Sequence, residues 1–447
     1  MKKTLLTFIL FALSLTIHAQ VTTLYGNGTA GYSNSNSSAD SINTEFTTPY
    51  GVAFDTKGNL WITDQGNNFI VLINNGKYQL REGYQQGGFN DGASVGQLGG
   101  ITFYPAGIVV APGKTSADDQ IYLCDAGNNA IRKIDSFVSI GNAQYLSTVA
   151  GGGKKNGGLG VSGFTNGSGA TALFNNPIGI GYVKDASGGY LVVADQNNNA
   201  LRKVSLHKSD YGTTSTITTS ISAPSGIYVD HSNNIWVTSL GSGISKVSST
   251  GTVTSIATSS NFEAPTSLVI RGTDMYIGDN CHIAYLDMTQ PVSASNPTVL
   301  AGDPTDTICK FQDGSDESAL FNGIGSMALS PDSSYLVVAD GQTNRIRKVI
   351  LPKAHVHTSG FALSTMNPDR FDIYPNPAQG HVYIKNRISG EADLTMLTAT
   401  GRQVMHSNIN ITAGDPYDIN LENFVPGVYI MQISTVTGVY NNKIIIR

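Results

Sequence analysis

The sequence predicts an all-β protein, a six-bladed β-propeller followed by a small C-terminal β-sandwich. A motif of three short apolar strands recurs six times between residues 49 and 349, and a fourth run follows most copies. Composition then changes near Pro352, where a second set of strands begins. With 50 glycines among 447 residues and only 13% charged residues, the chain is rich in turns. Its net charge of -5 argues against a nucleic-acid partner.

The N-terminus is predicted to be a signal peptide spanning residues 1–19. Lys2 and Lys3 precede the apolar stretch Leu5–Ile17, and cleavage after Ala19 fits this pattern. The stretch is shorter than the roughly 20 residues that a membrane helix needs, so cleavage is favoured over an uncleaved anchor. No cysteine follows the cleavage site, which argues against a lipoprotein. We therefore expect no transmembrane segment in the mature chain.

The repeat occupies residues 20–352. β-Branched and aromatic runs alternate there with clusters of Gly, Asn and Asp, a pattern typical of antiparallel strands joined by tight turns. The second strand of each copy is the most regular, and it usually ends in Asp: Leu60–Asp64, Ile121–Asp125, Tyr190–Asp195, Ile235–Ser239, Met275–Asp279 and Tyr335–Asp340.

A propeller blade needs four strands, and the sixth copy lacks a fourth of its own. Its third strand leads directly into Leu351 and Pro352. Val21–Gly26, near the other end, matches the fourth runs Ser147–Gly151 and Thr298–Gly302. We predict that Val21–Gly26 supplies the missing outer strand, because this closure removes an exposed sheet edge.

These repeats resemble the NHL-repeat family, whose members fold as six-bladed propellers, over residues 21–352. The resemblance implies the fold. The family includes ligases, lyases, receptors and scaffolds, so the resemblance implies no single chemistry.

Long loops are concentrated on one face of the predicted propeller. Residues 27–48, 82–104, 152–176 and 303–323 each precede a first strand, whereas the turns of the opposite face are short. Elaborated loops commonly form a binding surface, so we predict an extracellular glycan, peptide or protein ligand here. Passive loops are the alternative.

The turns after the second strands lie on the same looped face. They supply the candidate binding residues Asp64, Asn67, Asp125, Asn128, Asp195, Asn198, Asp279 and Asp340. Their simplest role is structural, since Asp accepts hydrogen bonds from turn N–H groups and Asn tolerates left-handed backbone. No cofactor is predicted, and a structural calcium is the alternative left open. The third strands carry Arg-Lys pairs predicted to lie on solvated blade surfaces: Arg132-Lys133, Arg202-Lys203 and Arg347-Lys348.

The three cysteines allow at most one internal disulfide. Cys281 and Cys309 fall in one repeat and can pair in an oxidising compartment. Unpaired, half-buried thiols are slightly favoured over that bridge.

An enzymatic role is the alternative to binding. Some six-bladed propellers are metal-dependent lactonases or histidine-dependent lyases, but this propeller retains only His207, His231 and His282. Glu263-Ala-Pro265 is a weak match to a lactonase-type Glu-x-Pro, and Asp279–His282 carries residue types that bind transition metals. Nucleophile-elbow, zinc-protease and phosphate-loop motifs are absent from the sequence. A binding or scaffold module is favoured over a lactonase-like hydrolase or lyase.

Residues 353–370 are predicted to be a linker, and residues 371–447 a seven-stranded sandwich. This segment resembles the type A C-terminal sorting domain of the type IX secretion system. The matching residues are Tyr374, Pro375, Asn376, Pro377, Gly401, Pro426, Gly427, Tyr429 and Lys443. The resemblance implies recognition by the secretion machinery and export across a Gram-negative outer membrane, to the cell surface or the medium. A carbohydrate-binding or adhesive sandwich is the alternative.

Overall fold

The computed structural model divides into two compact units, residues 1–354 and 355–447. It describes residues 19–32, 43–83, 85–92, 100–113, 118–140, 143–153, 159–230, 232–288, 297–304, 309–352, 371–386, 390–398, 403–422, 424–435 and 438–447. Most of the predicted signal peptide, the predicted linker, His231 and Gly401 lie outside these ranges.

The first strand, β1 (Gln20–Tyr25), closes the propeller. It pairs antiparallel with the third strand of the last blade, with Val21 opposite Val349 and Thr23 opposite Arg347. The predicted ring closure is therefore confirmed. Since β1 is the fourth strand of that blade, it ties the two ends of the propeller chain together.

Each blade is an antiparallel sheet whose strands follow one another from the axis outward. The first three blades contain β2 (Pro49–Phe54), β3 (Leu60–Asp64), β4 (Phe69–Asn74), β5 (Lys77–Gly83), β6 (Pro105–Ala111), β7 (Gln120–Asp125), β8 (Ala130–Ile140), β9 (Ala143–Gly151), β10 (Gly167–Ser168), β11 (Pro177–Val183), β12 (Tyr190–Asp195), β13 (Ala200–Ser205) and β14 (Thr213–Thr218). β10 adds to β14 as a fifth strand of blade 3.

The last three blades follow the same plan. They contain β15 (Pro224–Val229), β16 (Ile235–Ser239), β17 (Gly243–Val247), β18 (Val253–Ala257), β19 (Pro265–Arg271), β20 (Asp274–Asp279), β21 (His282–Asp287), β22 (Thr298–Ala301), β23 (Gly314–Ser315), β24 (Ile324–Leu329), β25 (Tyr335–Asp340) and β26 (Arg345–Ile350). β23 pairs with β1 at the edge of blade 6. Together the six sheets confirm the predicted propeller.

Short 3₁₀ turns complete the described secondary structure of this unit. They span Gln65–Asn67, Ala126–Asn128, Gly169–Thr171, Gln196–Asn198, Ser259–Asn261, Asp316–Ser318 and Gly341–Thr343.

Glycine in the first strands lets neighbouring blades meet at the axis. A Cβ on Gly107 would overlap the carbonyl oxygen of Ile178, and a Cβ on Gly179 would overlap that of Ser225. The close approach leaves an axial cavity of about 60 Å³ with a mixed lining that includes Ile108, Ile180 and Ser225. The axis is therefore packed, and the loops at the two faces remain as places for a ligand.

The C-terminal unit has two sheets around one core, and the parallel pair of Ala378 and Ile446 joins them. β31 (Tyr417–Asn420), β28 (His381–Asn386) and the start of β27 (Phe371–Gln379) form one sheet. β30 (Gln403–Ile411), β29 (Gly390–Thr398), β32 (Gly427–Thr435) and β33 (Gly438–Ile446) form the other. Both sheets contribute to the same buried cluster, which contains Val382, Ile384, Leu394 and Met431. The predicted seven-stranded sandwich is confirmed.

Candidate functional site

A buried aspartate ends the second strand of five blades: Asp64, Asp125, Asp195, Asp279 and Asp340 are all fully buried. Each accepts hydrogen bonds from the loop that precedes the first strand of its own blade. The donors include the backbone N–H groups of Thr47, Phe103, Asn175, Glu263 and Asn322, at 2.7 to 3.0 Å. The two sets of loops therefore lie on one face, as predicted.

The source of these hydrogen bonds corrects the prediction in one respect. The donors were expected to be N–H groups of the turn that follows the aspartate, but Asp64, Asp125, Asp195 and Asp340 make no side-chain cap to that turn. They bind the loop that is distant in sequence instead. The expected left-handed residues are present, since Asn68, Asn129, Asn199 and Asn344 have φ values between 50° and 60°.

Three arginines predicted to be solvated are fully buried, and that prediction is wrong for Arg132, Arg202 and Arg347. Each faces its blade's aspartate, with Nη1 to Oδ2 distances of 2.5 to 2.7 Å. Strand alternation does send the neighbouring lysines to the other side of each sheet. The side of the sheet that carries the arginine faces the loop before the first strand. Contacts with that loop keep water from the guanidinium.

We call the described parts of those loops the straps of blades 2, 3 and 6: residues 85–92 with 100–104, 159–176 and 309–323. Each arginine binds two strap carbonyl groups and one strap side chain. Arg202 donates from Nη1 to the carbonyl of Leu173, and from Nη2 to the carbonyl of Thr165 and to Oδ1 of Asn166. Asp91 and Asp313 take the place of Asn166 beside Arg132 and Arg347. The straps are thus clamped to their blades.

Aromatic rings complete each clamp. The guanidinium of Arg202 lies 4.8 Å from the ring centre of Phe164 and 5.0 Å from that of Phe174. Arg347 lies similarly over Phe311 and Phe321, and Arg132 over Phe89. Such contacts favour a guanidinium through its stacking and cation–π interactions.

The candidate asparagines hold the same assembly. Asn67, Asn128 and Asn198 each donate from Nδ2 to Oδ2 of the aspartate three residues earlier and to a carbonyl of the loop before the first strand. These contacts support the structural role. Direct ligand binding by them, or by Asp64, Asp125, Asp195 and Asp340, stays a prediction, and burial of the carboxylates works against it.

Burial raises the pKa of Asp125, Asp195 and Asp340, while hydrogen bonds and the paired arginines oppose that rise. In blade 1, Val71 occupies the position that arginine occupies in those blades. The strand register shows this equivalence, since Val71 lies opposite Ile62 just as Arg132 lies opposite Leu123. Burial raises the pKa of Asp64 to about 8. Among the residues that the structure describes, blade 1 therefore carries a buried carboxyl group without a paired arginine.

Blade 5 also lacks the arginine, and a cleft opens there. Ala284 pairs with Ile277 at the position that Arg132 occupies in blade 2. Only seven residues, 258–264, separate β18 from β19, so blade 5 has no strap. The cleft measures about 300 Å³ and is lined by Ser260, Asn261, Phe262, Glu263, Asp279, His282, Ala284, Pro297, Thr298, Val299 and Pro304.

His282 lies beside Asp279 in this cleft. Its Nε2 is 3.7 Å from Oδ2 of Asp279, and its buried Nδ1 has no hydrogen-bond partner among the described residues. Burial raises the pKa of Asp279, although hydrogen bonds from Ala264 and Glu263 oppose the rise. Glu263 is exposed at the rim and accepts a hydrogen bond from Asn280. The cleft therefore combines two carboxyl groups, an imidazole and an aromatic ring.

A disulfide joins Cys281, next to His282, to Cys309 in the strap of blade 6, with Cα atoms 5.3 Å apart. The preference for unpaired thiols is therefore wrong for these two residues, since the ring brings the turn and the strap together. Cys124 is a buried free thiol. No group of three or more His, Cys, Asp or Glu side chains within the described ranges is placed to hold a metal ion.

In the C-terminal unit, the predicted sorting residues connect distant strands. Asn376 donates to the carbonyl of Lys443 at 2.6 Å and accepts from the N–H of Ile445 at 2.9 Å, which ties β27 to β33. Tyr429 is buried and donates its hydroxyl to the carbonyl of Val425. The remaining described members, Tyr374, Pro375, Pro377, Pro426 and Lys443, are exposed, and Gly427 is half-buried.

Residues 372–447 match the family model of the secretion system C-terminal sorting domain. This unit is a C-terminal sorting domain of the type IX secretion system. The protein is accordingly a cell-surface or secreted protein. Within the described ranges, no helix has the length and apolarity required to cross a bilayer.

Solved structures show the same fold for the propeller. A structural genomics protein of unknown function from Bacteroides thetaiotaomicron is 14% identical, with a TM-score of 0.52, over 75% of this chain and 76% of the other. An auxiliary nutrient binding protein from the same species is 14% identical, with a TM-score of 0.50, over 74% and 76%. No curated protein matches the chain.

Proposed function

We propose that this protein is exported by the type IX secretion system as a binding or scaffold module, with its ligand site in the open cleft of blade 5. The observation that carries the proposal is the cleft itself, a preformed opening of about 300 Å³ on the looped face. Its ligand is an extracellular glycan, peptide or protein.

Size and composition both favour this cleft. Ligand sites generally have volumes of about 300 to 1,000 Å³ and combine apolar walls with a few polar groups. Phe262 and Val299 supply apolar surface, while Glu263, Asp279 and His282 supply polar groups. The axial cavity is too small for a comparable ligand.

Rigidity supports the same location. The Cys281–Cys309 disulfide fixes the turn beside His282. Asp279 holds the loop before β19 through the N–H groups of Glu263 and Ala264. A site that is ordered before binding loses less conformational entropy when the ligand arrives.

The test is a glycan and peptide array probed with the full exported protein and with the Ala284→Met variant. The longer methionine side chain would fill the cleft, so signals from true ligands should fall at least tenfold. The matched control is Ala186→Met, in an exposed turn of the opposite face between β11 and β12. Ligands that bind both variants equally well would place the site elsewhere and refute the proposal.

The alternative function is a metal-dependent hydrolase or lyase. Glu263, Asp279 and His282 line the same cleft, which favours this alternative, although within the described ranges they are not placed to hold a metal ion together. Metal analysis of the purified protein separates the two functions. Stoichiometric metal that is lost together with a catalytic activity would refute a purely binding role.

Export through the C-terminal unit has its own test. Removal of residues 371–447 should retain the propeller in the periplasm, measured by immunoblotting of periplasmic, surface and medium fractions. Unchanged export would contradict the role of that unit.

A further inference from the structure

We propose that the blade 5 cleft binds the guanidinium group of an arginine side chain from a peptide or protein ligand. This inference rests on the proposed function and names the chemistry of its ligand. The basis for this inference lies within the molecule. In blades 2, 3 and 6, an aspartate, a backbone carbonyl and an aromatic ring surround an arginine of the same blade, and we call this set of acceptors and ring the cage.

The cage in those blades has three constant parts. An aspartate Oδ2 accepts from Nη1, as Asp195 does from Arg202 at 2.7 Å. A backbone carbonyl four residues before the start of the first strand accepts from the same nitrogen at 3.0 Å: those of Ile101, Leu173 and Leu320. An aromatic ring stacks on the guanidinium, and in blades 3 and 6 it belongs to the next residue, Phe174 or Phe321.

Blade 5 keeps the positions of all three parts. Asp279 ends its second strand, Asn261 lies four residues before Pro265, and Phe262 follows it in the place of Phe174 and Phe321. All three line the cleft. The element missing from the cage is the arginine, since Ala284 stands in its position.

No side chain in the described parts of the propeller replaces that cation. His282 remains 3.7 Å from Asp279, which is beyond hydrogen-bonding distance. The turn after Asp279 is two residues shorter than in blades 2 and 3, because Asp279 pairs with His282 whereas Asp125 pairs with Ala130. Among the described residues, Asp279 receives neither the asparagine nor the arginine donor found in those blades.

Glu263 supplies a further acceptor at the rim. In blades 2 and 6, Nη2 of the arginine contacts a second carboxylate, Asp91 or Asp313, on the strap. Without a strap, blade 5 places the carboxylate of Glu263 on the wall of the cleft. Two carboxylates and a ring favour a planar guanidinium, which can bind both acceptors and stack, over a lysine ammonium.

The experiment measures binding of acetyl-Gly-Arg-Gly-amide to the full protein by calorimetry, with the citrulline peptide as the neutral isostere. The arginine peptide should bind about tenfold more tightly than the citrulline peptide, because it forms charge-assisted hydrogen bonds. It should lose this binding in Ala284→Arg, where an internal guanidinium occupies the cage. Equal or absent binding of the two peptides to the wild-type protein would overturn the inference.

Thermal melting adds a measurement that does not need a ligand. Ala284→Arg should melt roughly 2 °C above Ala284→Met, because arginine pairs with Asp279, and Asp279→Asn should cancel the difference. A melting temperature no higher than that of Ala284→Met would contradict the cage. Some array ligands could lose their signal in Ala284→Met and yet contain no arginine. That result would support the proposed function and refute this inference.

Discussion

Blades 3 and 5 share the same strand plan but treat the looped face in opposite ways. In blade 3, Arg202 lies between Asp195 and the strap, so the face is covered. In blade 5, Ala284 stands at the arginine position and a cleft opens over Asp279. In these two blades, the residue at one position of the third strand therefore differs between the covered face and the open one: arginine in blade 3 and alanine in blade 5.

In blades 2, 3 and 6 the strap and the arginine occur together for a physical reason, whereas blade 1 combines the long loop of residues 27–48 with Val71 at the arginine position. A buried aspartate requires compensation, and a buried arginine needs acceptors for its N–H groups. The strap carbonyls provide acceptors for the Nη groups, and the rings exclude water. Blades 4 and 5 lack both strap and arginine: Ser245 and Ala284 occupy the arginine positions.

Removing the arginine from a closed blade should have the largest effect. Arg202→Met leaves Asp195 buried without its cation, so we expect a loss of about 3–5 kcal/mol in the free energy of unfolding, measured by urea denaturation. The double variant Asp195→Asn with Arg202→Met removes both charges and should lose much less. If the double variant is as unstable as the single one, charge pairing is not what holds the blade closed.

The disulfide of the open blade should have the next largest effect. Cys281 and Cys309 are 28 residues apart in sequence, and a loop of that size corresponds to about 3–4 kcal/mol through restriction of the unfolded chain. Serine at both positions should lower the free energy of unfolding by this amount and weaken ligand binding at the cleft. Reduction of the wild-type protein should reproduce the loss, and Cys124→Ser should not alter this sensitivity to reductant.

Asp64 in blade 1 is buried like Asp195 but has no paired arginine among the described residues, so its titration should affect stability. Its folded-state pKa is about 8, so between about pH 4 and 8 the folded state keeps a proton that the unfolded chain has released. The free energy of unfolding should therefore fall with rising pH, by roughly 1.4 kcal/mol per pH unit for this proton. Asp64→Asn should remove that slope in denaturation curves measured between pH 5 and 7. An unchanged slope would assign the proton to another group.

The smallest effect concerns the ring that covers the clamp. Phe164 is half exposed above Arg202, and Phe164→Ala should cost about 0.5–1 kcal/mol through loss of the cation–π contact. Leu159→Ala is the control, because Leu159 is equally exposed on the same strap but is not stacked on Arg202. Equal losses in the two variants would indicate general strap packing instead.

The repeat allowed much of the fold to be predicted. Period-two alternation and turn residues identified the strands, and the match between Val21–Gly26 and later fourth strands identified the closing strand. The burial of Arg132, Arg202 and Arg347 was not predicted, because alternation gives the side of a sheet that a residue faces and not what covers that side. One signal could have revealed it: Phe-x-Asp/Asn-Gly recurs in the straps at Phe89–Gly92, Phe164–Gly167 and Phe311–Gly314, in the same blades as the arginines.

The sequence by itself determined the strand order, the number of blades, the closing strand and the sorting motif, because these depend on local periodicity and short matches. The tertiary structure decided which polar residues are buried, that Cys281 meets Cys309, and that Ala284 leaves a cleft. Each of these depends on distances between segments far apart in the chain. The looped face was identifiable from loop lengths, but the open blade within it became visible only when the clamps around it were resolved in space.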